Sequence, residues 1–128
     1  MIEYWNLKWG KNMIRKNGNY KKEVKVNMRG GEGSVTIEKF WEPGEELKSK
    51  NRLFAKLTLM PGSSIGFHKH ENEEEVFVVL QGTAEADDNG EKVFLEKGDT
   101  ILTGEGKGHS IKSVGKDNLQ LLAVISCY

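Results

Sequence analysis

The sequence predicts an all-β fold, and three observations support this prediction. Fifteen glycines and two prolines divide the 128 residues into short segments, which is typical of many strands joined by turns. Several segments alternate apolar and polar residues, as half-buried strands do. No segment of convincing length repeats with the period of a helix. We expect about ten strands that close on themselves, because closure removes exposed sheet edges.

The first 33 residues are polar and irregular, and they end in a glycine-rich stretch at 29–33. We expect them to form an N-terminal arm (1–33) that wraps the domain or a neighbouring subunit, with one short strand at 24–28. Trp5 and Trp9 are expected to be core or dimer-interface residues, and they make sense if this arm docks on a partner subunit; the alternative is that they stack on a substrate. The barrel domain is then expected to span 34–128.

From residue 34 onward, strand-like segments alternate with turn signals. Segment 34–41 is rich in β-forming residues and ends at Glu-Pro-Gly, and 52–60 places four apolar side chains on one face before Pro-Gly. An Asn-Gly pair, the strongest short hairpin signal, joins 83–87 to 92–96. The other segments with strand character are 65–70, 75–80, 100–103, 109–114 and 119–127.

Composition narrows the classes of function. Basic and acidic residues number 19 each, and a net charge of zero argues against nucleic acid or an anionic membrane as partner. The apolar runs are far too short to span a bilayer, and the N-terminus lacks the pattern of a signal peptide. The single cysteine, Cys127, cannot form an internal disulfide. We therefore expect a cytoplasmic protein.

All three histidines of the chain are placed where one metal site could use them. His68 and His70 are two residues apart, so on a strand both side chains project from the same face. Glu75 follows a short acidic turn and can return on the adjacent strand, whereas His109 must come from further along the chain. Neutral imidazole with carboxylate suits Mn²⁺, Fe²⁺, Co²⁺, Ni²⁺ or Zn²⁺. The alternative is that the histidines are only hydrogen-bonded and the acidic stretch is a solvated loop.

The alternation of side chains along a strand predicts the surroundings of these groups. If Glu75 points into the barrel, so do Phe77 and Val79, and if His109 points inward, so does Ile111. The expected site is a set of ligands in a dry cavity. The other apolar residues on the Glu75 strand then face outward, where a second sheet or a partner must cover them.

The stretch 62–82 resembles the first motif of the cupin family. That motif reads Gly, five residues, His-x-His, three or four residues, Glu, six residues, Gly. Every fixed position is matched, by Gly62, His68, His70, Glu75 and Gly82.

The second cupin motif reads Gly, five residues, Pro-x-Gly, two residues, His, three residues, Asn. Gly98, Gly106 and His109 match it, while Gly104 replaces the proline and Ser113 replaces the asparagine. Neither replaced position is a metal ligand, so the departures concern loop rigidity and leave the site intact.

This resemblance implies a cupin-type jelly-roll β-barrel, usually a homodimer, that holds one divalent metal ion. The ligands that it implies are His68, His70, Glu75 and His109. By charge, Glu73 and Glu74 compete with Glu75, but the family spacing and the strand alternation both favour Glu75.

Two classes of function fit the resemblance. The leading hypothesis is a metalloenzyme of dioxygenase, isomerase or decarboxylase type that acts on a small oxygen-rich metabolite. The alternative is a non-catalytic module that binds a small metabolite or sugar. No catalytic residue stands out, beyond the possible involvement of Glu73, Glu74 or Ser113.

The oxalate decarboxylases of the family carry an arginine where this chain has Ile65, and no arginine is near either motif. A neutral or monoanionic substrate is therefore expected to fit better than a dianion. Arg52, on a strand that is otherwise apolar on one face, is expected to form an ion pair; the alternative is that it anchors a substrate.

Overall fold

The computed structural model describes residues 13–128, which form ten β-strands and no α-helix. The predictions for Trp5 and Trp9 lie outside the described residues. No helix among the described residues is long and apolar enough to cross a membrane. The expected all-β fold with about ten strands is confirmed.

The strands form two antiparallel sheets that pack face to face. The six-stranded sheet has the order β1-β2-β3-β10-β5-β8, and the four-stranded sheet has the order β4-β9-β6-β7. A short 3-10 turn, Met28–Gly30, follows β1. In chain order the strands are β1 Lys21–Val26, β2 Ser34–Lys39, β3 Asn51–Leu59, β4 Ser64–Lys69, β5 Glu73–Gln81, β6 Ala84–Asp88, β7 Glu91–Leu95, β8 Thr100–Gly104, β9 Gly108–Ser113 and β10 Leu119–Cys127.

Strand β1 overlaps the short strand expected at 24–28 but begins earlier, and it pairs with β2 along its whole length. Part of the expected arm therefore extends the six-stranded sheet as an edge strand. Charged residues at its start keep this edge from pairing with other chains. The division into an arm and a barrel at residue 34 stays a prediction.

The core lies between the inner faces of the two sheets. Phe77, Val79 and Ile111 are 2 %, 1 % and 1 % exposed, as the strand alternation predicted. Each such side chain contributes about 1.5–3 kcal/mol by leaving water. One end of this interior holds polar side chains, because His70, His109 and Glu75 are also buried there.

Strand β4 contains an irregularity that determines which way His68 points. The register against β9 shifts between Ile65 and His68, so both of these residues face the interior although they are three positions apart. Phe67, within the irregular stretch, is 48 % exposed. A bulge of this kind re-aims side chains next to functional sites.

The backbone around Gly66 leaves no room for a side chain. A Cβ atom at Gly66 would lie 2.1 Å from the carbonyl oxygen of Arg29, and one at Gly31 would lie 2.2 Å from the carbonyl oxygen of Ser64. The chain segment that carries Arg29 therefore packs directly on β4. This contact brings the 3-10 turn to the open end of the barrel.

Candidate metal centre

The structure brings the four predicted site residues together at one end of the barrel. Their ligand atoms all lie within 4.8 Å of one another. Nε2 of His109 is 3.1 Å from Nε2 of His70 and 3.2 Å from Nε2 of His68. Oε1 of Glu75 is 3.0 Å from His70 Nε2, 3.1 Å from His109 Nε2 and 4.0 Å from His68 Nε2. These four residues could hold one metal ion.

Strand pairing explains the convergence. His68 on β4 lies directly opposite His109 on β9. Glu75 on β5 lies opposite Thr103 on β8, whose hydroxyl is 2.8 Å from Nδ1 of His109. The ring of Phe77 stacks on His109 with centroids 4.9 Å apart. Two sheets thus fix the same cluster from both sides.

The hydrogen bonds of the other ring nitrogens show that a cation fits this cluster. Nδ1 of His68 lies 2.7 Å from the carbonyl oxygen of Gly66, and Nδ1 of His70 lies 2.6 Å from Glu73 Oε2. Both oxygens accept, so both Nδ1 atoms carry the proton and the Nε2 atoms of the neutral rings offer lone pairs. These lone pairs and Glu75 Oε1 converge on one point, where a metal ion would satisfy them all.

A chain of two contacts supports His70 from behind. Its Nδ1 donates to Glu73, and Arg52 holds the same carboxylate with two hydrogen bonds of 2.8 and 2.9 Å. The ion pair expected for Arg52 is confirmed. Partners of this kind fix the orientation of a metal-binding histidine and raise its basicity.

Electrostatic effects differ among the residues of the cluster. Burial lowers the pKa of His68 below its usual value. The hydrogen bond to Glu75 raises the pKa of His70, although burial opposes this. Burial also works to raise the pKa of Glu75, but hydrogen bonds with His109 and His70 outweigh it, so its pKa lies below the ordinary value. Glu75 is therefore an anion at neutral pH, as a metal ligand must be.

Glu73 and Glu74, the two alternatives to Glu75 as the carboxylate of the site, lie in different positions. The hydrogen bond from Arg52 lowers the pKa of Glu73 to about 2, so this carboxylate is a poor proton donor at neutral pH. The Glu74 side chain is 3.4 Å from the hydroxyl of Tyr128, outside the cluster. Ser113 is fully buried, and its Oγ has no hydrogen-bond partner among residues 13–128. None of the three is placed as a free acid or base.

A cavity of about 210 Å³ opens beside His68, His70 and Glu75. Its inner wall is apolar and its mouth is basic. The lining carries four cationic side chains, Lys25, Arg29, Lys39 and Arg52. The expectation that a dianion is poorly served stays a prediction, but its reason, the lack of an arginine near the motifs, does not describe the cavity, because Arg29 and Arg52 line it. The spacing of residues in the sequence gave no indication of these cations, since it is the pairing of β1, β2 and β3 that brings these segments together.

Replacing Glu73 with glutamine should weaken metal binding by about tenfold to a hundredfold, because His70 would lose its charged partner. Competition of the protein with a metal chelator measures this change. Glu74→Gln is the matched control, since it removes the same charge one residue away on the other face of β5. Equal affinities of the two variants would contradict a supporting role for Glu73.

Comparisons with known proteins agree with this geometry. A family model described as the cupin domain matches residues 55–125. The chain is 40 % identical over 119 residues to the oxalate-binding protein of Thermotoga maritima, covering 93 % of this chain and 98 % of that protein. It is 31 % identical over 75 residues to an uncharacterised protein of Methanocaldococcus jannaschii, covering 59 % of this chain and 60 % of that protein.

Two solved structures show the same fold. A predicted oxalate decarboxylase from Thermotoga maritima is 38 % identical, with a TM-score of 0.81, over 91 % of this chain and 100 % of that one. The polyketide cyclase RemF from Streptomyces resistomycificus is 17 % identical, with a TM-score of 0.71, over 89 % of this chain and 78 % of that one. This second similarity concerns the fold alone. Family model, relative and jelly-roll architecture agree, and the chain belongs to the cupin family.

Proposed function

We propose that this cupin holds one divalent metal ion and captures a small carboxylate, such as oxalate, on that ion. The proposed ligands are His68, His70, Glu75 and His109. The observation that carries the proposal is the convergence of their donor atoms beside an open cavity with a basic mouth. The similarity to an oxalate-binding protein over nearly the whole chain supports it.

The spacing of the donor atoms supports an ion with bonds at right angles. Bonds of about 2.1 Å place neighbouring ligands about 3.0 Å apart at right angles and about 3.4 Å apart in a tetrahedron. The four close separations in the cluster are 3.0, 3.1, 3.1 and 3.2 Å. Mn²⁺, Fe²⁺, Co²⁺ and Ni²⁺ are therefore better candidates than tetrahedral Zn²⁺. An ion held by these four residues would supply a Lewis acid for the oxygens of a small ligand.

In this proposal the residues around the four metal-binding side chains orient them and limit the access of water. Glu73, Thr103 and the carbonyl of Gly66 hold the three imidazole rings. The apolar inner wall, to which Ile65 and Phe77 contribute, limits the access of water. A dry wall strengthens the attraction between the ion and an anionic ligand.

A metalloenzyme of decarboxylase type is the second candidate, and the structural similarity to a predicted oxalate decarboxylase favours it. The dioxygenase and isomerase types have no comparable support. Proton transfer in a decarboxylase needs a group whose pKa lies near the working pH. Glu73 is held as an anion by Arg52, and Glu74 lies outside the cluster. These two observations lead us to prefer the binding protein.

The experiment begins with elemental analysis of protein that was purified without added metal. Titration calorimetry with oxalate then compares the metal-loaded protein with protein stripped by a chelator, and NMR follows formate release. We expect oxalate binding that requires the metal, without turnover. Formate release would show that the protein is a decarboxylase and not only a binding protein. Absence of oxalate binding by metal-loaded protein would refute the proposal.

We also propose that the protein is a cytoplasmic homodimer that pairs through the outer face of the six-stranded sheet. On this face Val76 is registered against Val124 on β10 and Leu102 on β8, and Val78 lies opposite Leu122. Leu102 is 62 % exposed in the single chain. A continuous apolar face of this kind marks an interaction surface.

The variant Leu102→Lys should weaken dimerisation by at least about tenfold, because a charge would be buried in the interface. Light scattering over a range of concentrations measures the change. Phe94→Lys is the matched control, since Phe94 is 63 % exposed on the other sheet. A monomeric wild-type protein at all concentrations, or an equal effect of both variants, would contradict this interface.

A further inference from the structure

We infer that the ligand is a dicarboxylate dianion and that Arg29, assisted by Lys25, receives the carboxylate that the metal does not neutralise. This inference rests on the proposed function, because it presumes a carboxylate ligand at the metal. It adds a specificity element from a part of the chain that the two cupin motifs do not include.

The wall of the cavity opposite the histidines comes from the N-terminal part of the described chain. On β1 Lys25 lies opposite the buried Val35, so its side chain is on the inner face of the sheet. Arg29 in the 3-10 turn and Lys39 on β2 line the same cavity. All three precede residues 55–125, which match the cupin family model. The metal site and the basic wall thus come from different parts of the chain.

The charges around the cavity favour a dianion. Four cationic side chains face two carboxylates, those of Glu23 and Glu75, in the lining. A divalent ion adds two further positive charges to this side. A monoanion would leave much of this charge uncompensated, and a concave cavity with low-dielectric walls focuses the resulting field on an entering ligand.

Existing ion pairs distinguish the cations that are available to a ligand. Arg52 is held by Glu73, and Lys39 lies 3.8 Å from Glu23 and 3.4 Å from Glu42. Within residues 13–128, no carboxylate pairs with Lys25 or Arg29. These two side chains are therefore the ones that can bind a ligand carboxylate without first breaking an ion pair.

The backbone fixes the position of Arg29. Its φ of 54° is in the left-handed region, and the preceding Asn27 bonds through its side-chain amide to the carbonyl oxygen of Gly31 at 3.0 Å. The close contact of Gly66 with the Arg29 carbonyl anchors the turn on β4. A guanidinium on an anchored backbone suits a carboxylate, because it can donate two parallel hydrogen bonds.

The test compares oxalate with oxamate, in which a neutral amide replaces one carboxylate at nearly constant size. Calorimetry with Mn²⁺-loaded protein gives the dissociation constants of both compounds. In Arg29→Gln we expect oxalate binding to weaken by about tenfold while oxamate changes by less than about twofold. Arg29→Lys should weaken oxalate binding less than Arg29→Gln does. The double variant Lys25→Gln/Arg29→Gln should weaken oxalate binding more than Arg29→Gln alone.

Lys97→Gln is the control for net charge, because Lys97 is exposed in a turn and does not line the cavity. Metal content and thermal stability show whether each variant is intact. If Arg29→Gln leaves the oxalate-to-oxamate ratio unchanged with metal bound, the inference is overturned although the proposed function stands. If metal-loaded wild-type protein binds neither compound, the proposed function itself fails.

Discussion

Replacing His109 with alanine should weaken metal binding by more than about a hundredfold, because removal of a supporting partner alone costs tenfold to a hundredfold. His109 is the central residue of the cluster, since its Nε2 lies 3.1–3.2 Å from the facing atoms of His68, His70 and Glu75. Metal per chain after dialysis against a weak chelator should fall from near one to near zero. Metal addition should raise the unfolding temperature of the wild type and not of the variant, since binding to the folded state is what stabilises it.

Ser113→Ala is the control for this variant. Ser113 lies on β9 as His109 does and is fully buried, and in the part of the chain that the structure describes its Oγ has no hydrogen-bond partner. Its loss should leave metal binding unchanged and stability equal or slightly higher, because an unsatisfied buried hydroxyl costs free energy. If His109→Ala still holds one metal ion per chain, the four-ligand site is excluded.

The strands and the cluster could be predicted because their patterns are local. Alternation along β5 placed Glu75, Phe77 and Val79 on one face, and all three are buried. The spacing of His68 and His70 favoured a strand; the structure places His68 on β4 and His70 directly after it, and both lie beside Glu75. In each case a few neighbouring residues carry the pattern, so the sequence was sufficient.

The bulge in β4 and the basic cavity wall could not be predicted, because they depend on contacts between distant segments. Simple alternation would place Ile65 and His68 on opposite faces, and only the register shift brings both inward. Arg29 reaches the cavity because its turn packs on Gly66, 37 positions along the chain. The prediction against a dianion did not take these cations into account, because it considered arginines near the two motifs and not those that the fold brings to the cavity.

Gly66→Ala should lower the free energy of unfolding by about 3 kcal/mol or more, as severe overpacking does. The added Cβ would lie 2.1 Å from the Arg29 carbonyl oxygen and 3.0 Å from the backbone nitrogen of Gly31. Both obstacles are backbone atoms, so relief requires the turn to move away from β4. Denaturant unfolding monitored by fluorescence measures the loss.

Gly115→Ala separates this clash from the general effect of replacing a glycine. A Cβ at Gly115 meets Thr83 atoms at 3.4 Å, which is ordinary contact, so its unfolding free energy should change by less than about 1 kcal/mol. Where Gly66→Ala still folds, displacement of the turn should also weaken oxalate relative to oxamate, because Arg29 moves with it. If Gly66→Ala is as stable as Gly115→Ala, the turn is not anchored on β4. The argument that the backbone positions Arg29 would then fail.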